Sequence, residues 1–188
     1  MTLQVVSIRA SAARLQPSVP GLAPVALNLT SRGPEPWVRF SPFYPHGDIP
    51  VPLSPGYTAA SVEGIWQGLK VFEGADVDLA TFANTTMRGL KRTVRRFGPV
   101  RGHRAGVQGE RLLSYVEARR AIYLPAYRWV LEHRLADLVE RLRGMNLTNM
   151  VYLQDYETNV DVGDPARPLS HAGLVKLYVE DAWPREYA

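Results

Sequence analysis

The chain has 188 residues, of which 46% are hydrophobic and 21% are charged, a composition typical of a folded globular protein. It contains no cysteine, which excludes disulfides and thiolate chemistry and fits a reducing compartment. The net charge of +4 favours anionic partners, either small molecules or nucleic acid. No apolar run approaches the roughly 18 residues of a membrane span, and the first residues lack the pattern of a signal peptide. We therefore expect a cytoplasmic protein that makes no use of a membrane.

The first third of the chain has the pattern of strands joined by irregular segments. Branched residues predict strands over residues 3–8 and 25–30, and a third, short strand over 37–40. Prolines and a glycine in its second half predict that residues 1–24 form a loosely ordered arm. Prolines recur over residues 42–55, which excludes a helix there and predicts a long irregular loop. Because long loops inside compact domains usually carry function, we expect an active-site loop in this segment.

The rest of the chain is predicted to be largely helical. Ser61 is a suitable N-cap, and apolar residues recur at helical spacing after it. The later predicted elements are a basic helix from residue 81 or 86 to 96 that Gly98 closes, a long helix over 109–143 that Pro125 kinks and Gly144 ends, a strand over 149–153 and a helix over 172–180. Together they predict an α/β or α+β fold, mostly helical with a small sheet, in one compact domain over residues 25–188.

One acidic residue stands at the start of the helix that follows Ser61. At helical spacing, Glu63 shares one side of that helix with Trp66, Gln67 and Lys70. Because the indole ring of Trp66 has to be buried, the carboxylate beside it is a candidate for a shifted pKa and for catalysis. A solvated polar stripe is the other interpretation of the same spacing.

Aromatic and proline residues alternate in the segment Phe40-Ser41-Pro42-Phe43-Tyr44-Pro45. Rings held by a stiff backbone make a stacking surface for a flat base. A hydrophobic plug within the loop explains the same composition equally well. The segment therefore yields two predictions, a base-binding surface and a packing element.

An acidic loop follows the late strand, with Asp155, Glu157, Asn159 and Asp161 at alternate positions. Loops at the carboxyl ends of strands bind ligands in open α/β sheets, so these side chains are candidates for sugar hydroxyls or a metal ion. A calcium loop of the EF-hand type is excluded because its glycine and terminal glutamate are missing. A capped polar turn is the other interpretation. The four histidines are scattered, and we predict neither a metal site nor a cofactor.

Seven basic residues follow one another without an intervening acidic residue. Such a run can clamp phosphates or bind nucleic acid, and it can also be a solvated helix face. The run consists of Arg88, Lys91, Arg92, Arg95, Arg96, Arg101 and Arg104.

Two of these segments resemble the NADAR superfamily (NAD- and ADP-ribose-associated). The first is Phe40-Ser41-Pro42-Phe43-Tyr44-Pro45, which is similar to the Phe-Ser-Asn-Phe-Tyr start of that family, with Pro42 in place of Asn. The second is Val62-Glu63-Gly64-Ile65-Trp66-Gln67-Gly68-Leu69-Lys70, which is similar to its Val-Glu-His-x-x-Gln-x-x-Lys helix, with Gly64 in place of His. The resemblance implies one NADAR-like domain that hydrolyses N-glycosidic bonds, in phosphorylated intermediates of the riboflavin pathway or in ADP-ribosylated bases.

The roles that follow from this resemblance are hypotheses for particular residues. Glu63 is expected to stabilise the oxocarbenium-like transition state and to orient water, and Asp155 or Asp161 to hold ribose hydroxyls or share that water. The expected substrate contacts are Trp66, Phe43 and Tyr44 on the base, Arg39, Lys70, Arg88 and Lys91 on phosphate, and Phe40, Ser41, Gln67 and Asn159 elsewhere on the substrate. Two alternatives remain open: a non-catalytic module that binds nucleotides or nucleic acid, and an ADP-ribosyltransferase. The pattern specifies no oligomeric state.

Overall fold

The computed structural model describes residues 3–10, 15 and 20–187. Its contacts divide the chain into two units, one formed by residues 1–41 and 131–184 and the other by residues 42–130 and 185–188. Helices and small sheets occur together, so the fold is of the mixed α+β class. Within the described ranges, no helix is both long enough and apolar enough to cross a membrane. The part of the predicted arm at residues 1–2, 11–14 and 16–19 lies outside the described residues.

Short strands and helices alternate irregularly along the chain. They are β1 (Leu3–Ser7), β2 (Ala23–Asn28), a 3-10 helix (Trp37–Phe40), β3 (Ile49–Pro50), β4 (Thr58–Ala59), α1 (Val62–Gly68), β5 (Lys70–Phe72), a 3-10 helix (Leu79–Thr81), α2 (Val94–Phe97), β6 (Val100–Arg104), β7 (Leu112–Leu113), α3 (Tyr115–Ala118), a π-helix (Arg119–Tyr123), α4 (Leu124–His133), α5 (Ala136–Thr148), β8 (Asn149–Asp155) and α6 (His171–Val179).

A parallel sheet of three strands forms the centre of the first unit. β8 lies between β1 and β2 and runs parallel to both. Its residues Met150–Leu153 are at most 1% exposed, as expected for a parallel strand that is covered on both faces. Because the three strands run in one direction, their carboxyl ends meet at one edge of the sheet, near Ile8, Leu29 and Asp155. The predicted strands over 3–8, 25–30 and 149–153 are confirmed.

Short antiparallel sheets and helix α1 form the second unit. β3 pairs with β4, and β5, β6 and β7 form a second sheet in that order. In this sheet Lys70 lies opposite His103, and the register shifts at the bulge between Val71 and Phe72. Helix α1 begins after Ser61, as the sequence predicts, and all of its residues are buried.

Three predicted elements are wrong. The predicted strand over 37–40 is a 3-10 helix, because the amides of Val38 and Arg39 donate to the carbonyls of Pro34 and Pro36 in the preceding proline turn. The predicted basic helix is reduced to the single turn of α2, which Gly98 closes with a φ of 79°. The segment before α2 is mostly irregular, since side chains such as Asn84 hydrogen-bond to nearby backbone and compete with a helical ladder.

The predicted long helix over 109–143 is also wrong at its start, because residues 112–113 form β7 and the first helix, α3, begins at Tyr115. Pro125 stands at the start of α4 directly after the π-helix, so the missing proline amide falls where the wider turn ends. The break between helices comes at residues 134–135, and α5 continues through Gly144 to Thr148. Gly144 therefore does not end the helix, in contrast to the prediction.

A pair of glycine variants tests how tightly α1 is packed. A Cβ atom at Gly68 would lie 2.6 Å from Thr81 Oγ1 and 2.7 Å from Phe82 Cδ1, whereas a Cβ atom at Gly144 would meet nothing within 4 Å. We expect Gly68→Ala to lower the free energy of unfolding by about 1–3 kcal/mol through overpacking. Gly144→Ala is expected to raise it by about 0.5–1 kcal/mol, because alanine favours an exposed helix interior. Urea denaturation of both variants measures the difference, and equal effects would contradict the packing described for α1.

Candidate active site

Helix α1 holds Glu63 in place through bonds at its first turn. The Ser61 hydroxyl accepts a hydrogen bond from the Gly64 amide at 3.0 Å, which is the N-cap that the sequence predicts. The Glu63 amide donates to the Pro42 carbonyl at 2.8 Å, and the Thr81 hydroxyl donates to the Gly64 carbonyl at 3.0 Å. An acidic residue in the first turn of a helix is favoured by the unpaired amides there. The backbone of Glu63 is therefore fixed against the proline-rich segment.

The Glu63 side chain belongs to a buried chain of hydrogen bonds. Glu63 is 8% exposed and Gln67 is 5% exposed. The Gln67 amide nitrogen donates to Glu63 Oε1 at 2.9 Å, and the Gln67 side-chain oxygen accepts from the Arg92 backbone amide at 3.1 Å. The nitrogen and the oxygen of the Gln67 side-chain amide therefore both form hydrogen bonds, which fixes the orientation of this amide. The amide in turn orients the Glu63 carboxylate.

The charges of Lys70 and Glu63 interact, and Arg92 and Lys91 lie near enough to act on Lys70 in turn. Burial lowers the pKa of Lys70, while the charge of Glu63 acts in the opposite direction and Arg92 and Lys91 lower that pKa further. The Arg92 guanidinium donates to the backbone carbonyls of Gln67, Lys70 and Asp76 at 3.1, 2.6 and 2.7 Å. Arg92 therefore joins α1 to the segment after β5, whereas Lys70 is half-buried and Lys91 is exposed.

The Trp66 ring of α1 packs against the rings of His103, Tyr115 and Tyr123, which we call the aromatic wall. The Trp66 ring lies 3.8 Å from the His103 ring and meets the rings of Tyr115 and Tyr123 edge-on at 5.7 Å each. The Arg119 guanidinium stands 4.3 Å from the Tyr115 ring centroid. Trp66 is 8% exposed, so most of its ring is covered by this wall. We call Glu63, Trp66, Gln67, Lys70, Arg92 and His103 the Glu63 cluster.

The imidazole of His103 is neutral in this environment. Burial, with a smaller contribution from the charge of Lys70, lowers the pKa of His103 to about 3. Within the described part of the chain, neither of its ring nitrogens has a hydrogen-bond partner. A neutral ring can stack closely on Trp66 without adding a third positive charge beside Lys70 and Arg92.

The protonation of His103 gives a prediction for pH dependence. The folded chain takes up this proton only near pH 3, whereas a histidine in the unfolded chain takes it up near pH 6.5. The unfolded state therefore binds more protons between these values, and we expect the neutral ring to cost stability progressively as the pH falls below 6.5. NMR of the histidine ring protons is expected to show His103 unchanged from pH 8 to pH 5. A titration of its signals within that range would contradict the burial described.

One part of the segment 40–45 is packed in the interior, and another part lies near the candidate site. Phe40 is 0% exposed, and its ring stacks on Trp37 at 6.3 Å in the first unit, as the packing interpretation predicts. Phe43 and Tyr44 are partly exposed in the second unit. The Lys91 ammonium stands 5.9 Å from the Phe43 ring centroid, which brings this ring to one of the charges that act on Lys70. Ser41 is buried in the first unit.

A pocket of about 460 Å³ opens in the second unit at the start of α1. Ala60, the residue before the Ser61 cap, forms part of its wall. Its other walls include Asp48, Tyr57, Thr58 and Phe82. The volume lies in the range of pockets that hold small ligands.

A known protein family includes most of this chain. The model of a family described as "Family of unknown function (DUF6939)" matches residues 7–175. The chain belongs to this family. No curated protein and no solved structure matches the chain. The DUF6939 match includes the whole Glu63 cluster and the late strand with its acidic loop.

In this DUF6939 protein, Asp155 has its own partners at the carboxyl edge of the parallel sheet. Its Oδ2 accepts from the Ser170 hydroxyl at 2.8 Å and lies 3.0 Å from His171 Nδ1, and its Oδ1 accepts from the Tyr156 amide at 2.7 Å. His171 Nε2 meets the Leu29 carbonyl at 2.8 Å. Because both ring nitrogens of His171 face oxygen atoms, the charged imidazolium satisfies both contacts as a donor.

The charge balance at Asp155 favours its ionised form. Burial acts to raise the pKa of Asp155, but the charge of His171 and the hydrogen bonds from His171, Ser170 and the Ala172 amide together hold it below its usual value. The arrangement ties the start of α6 to the ends of β2 and β8. It gives this carboxylate a structural role in the first unit.

The remaining predicted site residues are not members of the Glu63 cluster, and three of the four belong to the first unit. Asn159 is buried and its amide reaches the carbonyls of Asp161 and Arg167, as in a capped turn, while Asp161 is exposed and accepts from the Gly163 amide. Arg39 belongs to the first unit and donates to the Arg134 carbonyl at 3.0 Å. Arg88 belongs to the second unit and is exposed. The substrate contacts expected of these four residues stay predictions.

Sequence reasoning missed His103, Arg119 and the two tyrosines of the aromatic wall. The strand register that sets His103 opposite Lys70 leaves no signal in a single sequence. The π-helix that carries Arg119 and Tyr123 interrupts the regular spacing that marks a helical face. Within the described residues, no group of three or more histidines or acids stands where it could hold a metal ion.

Proposed function

We propose that this chain is an N-glycosidase that hydrolyses the bond between base and ribose in a phosphorylated ribosyl or ADP-ribosyl substrate. The observation that carries the proposal is the placement of Glu63. Glu63 is 8% exposed, its carboxylate accepts a hydrogen bond from Gln67, and its charge acts on the half-buried ammonium of Lys70. The resemblance of residues 40–45 and 62–70 to the NADAR superfamily supports the same chemistry.

The proposed reaction uses the charge of Glu63. As the bond from the ribose C1′ to the base nitrogen breaks, positive charge develops at C1′ and the ring oxygen. A fixed carboxylate in a water-poor site stabilises that charge more strongly than bulk water does. The departing base nitrogen takes the bonding electron pair and a proton from solvent. Water forms the new bond to C1′ while Glu63 orients it and accepts its proton, which Glu63 then returns to solvent.

Other parts of the second unit are suited to hold the substrate. Lys70 and Lys91 supply ammonium groups for phosphate, and Phe43 and Tyr44 are partly exposed rings on which a base can stack. The pocket of about 460 Å³ at the start of α1 gives room for part of a nucleotide. In the proposal, the proline-rich segment 42–55 is the active-site loop, because Pro42 bonds to Glu63 and Asp48 lines the pocket.

The proposal assigns no catalytic role to Asp155. Its two carboxylate oxygens already accept hydrogen bonds from Tyr156, Ser170 and Ala172 and face His171. The proposal therefore rests on residues of the second unit alone.

Base release by chromatography tests the proposal directly. The purified chain is incubated with ADP-ribosylated guanine, NAD, ADP-ribose and pyrimidine ribosyl phosphates. A glycosidase is expected to release a free base together with an equal amount of the ribosyl product. A transferase would instead leave the ribosyl group on an added protein or nucleic-acid acceptor, and a binding module would leave every substrate intact. Either of the last two results would overturn the proposal.

A further inference from the structure

The cations of the acid-free basic segment divide into those bonded to carbonyls or carboxylates and those without such a bond. Residues 79–109 contain no aspartate or glutamate. Three of the seven cations have clear structural partners: Arg92 is buried on backbone carbonyls, Arg101 pairs with Glu73 at 3.1 Å, and Arg104 pairs with Asp76. The charges of these three are already balanced or bonded within the second unit.

Four cations remain exposed, and we call them the basic surface: Arg88, Lys91, Arg95 and Arg96. None of the four lies within ion-pair distance of a carboxylate in the described part of the chain. They fall within the nine positions 88–96, so their positive charges repel one another. A polyanion that lies along them would relieve this repulsion and release its own counterions.

Aromatic rings stand among these cations. The Arg96 guanidinium lies 5.0 Å from the centroid of the Phe97 ring, and the Lys91 ammonium lies 5.9 Å from that of Phe43. The Phe97 ring already packs against Arg92, Arg96 and Phe72, so the rings that a base can stack on are those of Phe43 and its neighbour Tyr44, both partly exposed. Cations that track a phosphate backbone beside rings that stack on unpaired bases are the combination that binds single-stranded nucleic acid.

We propose that the basic surface binds the phosphate backbone of single-stranded nucleic acid. Lys91 belongs both to this surface and to the charges that act on Lys70, so a bound strand passes beside the candidate active site. If the proposed function also holds, a target base within a strand is delivered to Glu63 by this contact. The binding itself does not require the reaction.

Fluorescence anisotropy with a labelled oligonucleotide of fifteen thymidines tests this surface. Four phosphate contacts predict that the logarithm of the affinity falls with the logarithm of the salt concentration at a slope of about −3, or roughly a 50-fold loss between 50 and 200 mM salt. The double variant Arg95→Gln/Arg96→Gln is expected to halve the slope and to lose affinity at 50 mM salt. It is expected to keep base release from small substrates, because neither residue is part of the Glu63 cluster.

A matched double variant distinguishes the effect of losing the basic surface from the effect of lowering the net charge. Arg111→Gln/Arg167→Gln removes the same charge from exposed residues that pair with Glu117 and Asp164, and it is expected to bind like the wild type. Glu63→Gln is also expected to keep its affinity for the oligonucleotide, so a failure of the proposed reaction leaves this test intact. Absence of binding by the wild type, equal losses in both double variants, or tighter binding of a duplex of the same length would overturn the inference.

Discussion

The Glu63→Gln variant is expected to release base about 10²- to 10³-fold more slowly than the wild type, the loss typical when one electrostatic contact to a transition state is removed. The substitution keeps the size of the side chain, and the new amide oxygen can still accept the hydrogen bond from Gln67. What it removes is the negative charge. Because that charge acts mainly on the transition state, we expect the loss in kcat with little change in KM.

A second glutamate provides the control for this variant. Glu73 lies in the same unit, is exposed, and pairs with Arg101 at the surface. Glu73→Gln changes the net charge by the same amount and is expected to retain full base release. Thermal unfolding of both variants checks that each is folded. An unchanged rate in folded Glu63→Gln would remove this residue from the mechanism.

The Asp155→Ala variant is expected to lose about 3–5 kcal/mol of unfolding free energy, because it leaves a buried positive charge on His171 without its partner. It also leaves the Ser170 hydroxyl and the Tyr156 amide without their acceptor. Urea denaturation measures the loss. Glu157→Ala, at an exposed position of the same loop, is expected to stay within about 0.5 kcal/mol of the wild type. Equal effects would show that the contacts of Asp155 do not stabilise the first unit.

The same carboxylate gives a pH dependence of known sign. The pKa of Asp155 is lower in the folded chain than its usual value. Its contribution is therefore present above the pKa of an unfolded aspartate, about 3.9, and is lost as the pH falls through the lower folded value. The difference in stability between the wild type and Asp155→Ala is expected to narrow below about pH 4. A difference that grows in acid would contradict this ionisation.

Local patterns were sufficient to predict the parts of the fold with strong signals. The apolar run of β8 and the branched residues of β1 and β2 predict strands, and all three form the parallel sheet. Ser61 predicts the start of α1 because its side chain can satisfy a free amide in the first turn. Helical spacing predicts the contact of Glu63 with Gln67, since residues four apart on a helix are neighbours. Lys70, predicted on the same side of the helix, instead lies beyond the end of α1 in β5.

Contacts between residues far apart in the sequence determine the features that local patterns did not predict. The single turn of α2 replaces a longer predicted helix because Arg92 reaches backbone carbonyls more than twenty residues earlier in the chain. The contact of His103 with Trp66 depends on strand register. Asp155 is predicted to be a site residue from its place after a strand. Its contacts with Ser170 and His171, which follow it by fifteen and sixteen residues, could not be predicted locally, and its site role stays a prediction.

The central claim is that Glu63 is the catalytic carboxylate of an N-glycosidase. The most direct test is the rate of base release by the wild type, Glu63→Gln and Glu73→Gln on the substrate that the wild type cleaves fastest. The account predicts stoichiometric base and ribosyl product from the wild type and Glu73→Gln, and a rate at least about 10²-fold lower for Glu63→Gln. Equal rates for all three proteins, or no release of base from any of the substrates offered, would contradict it.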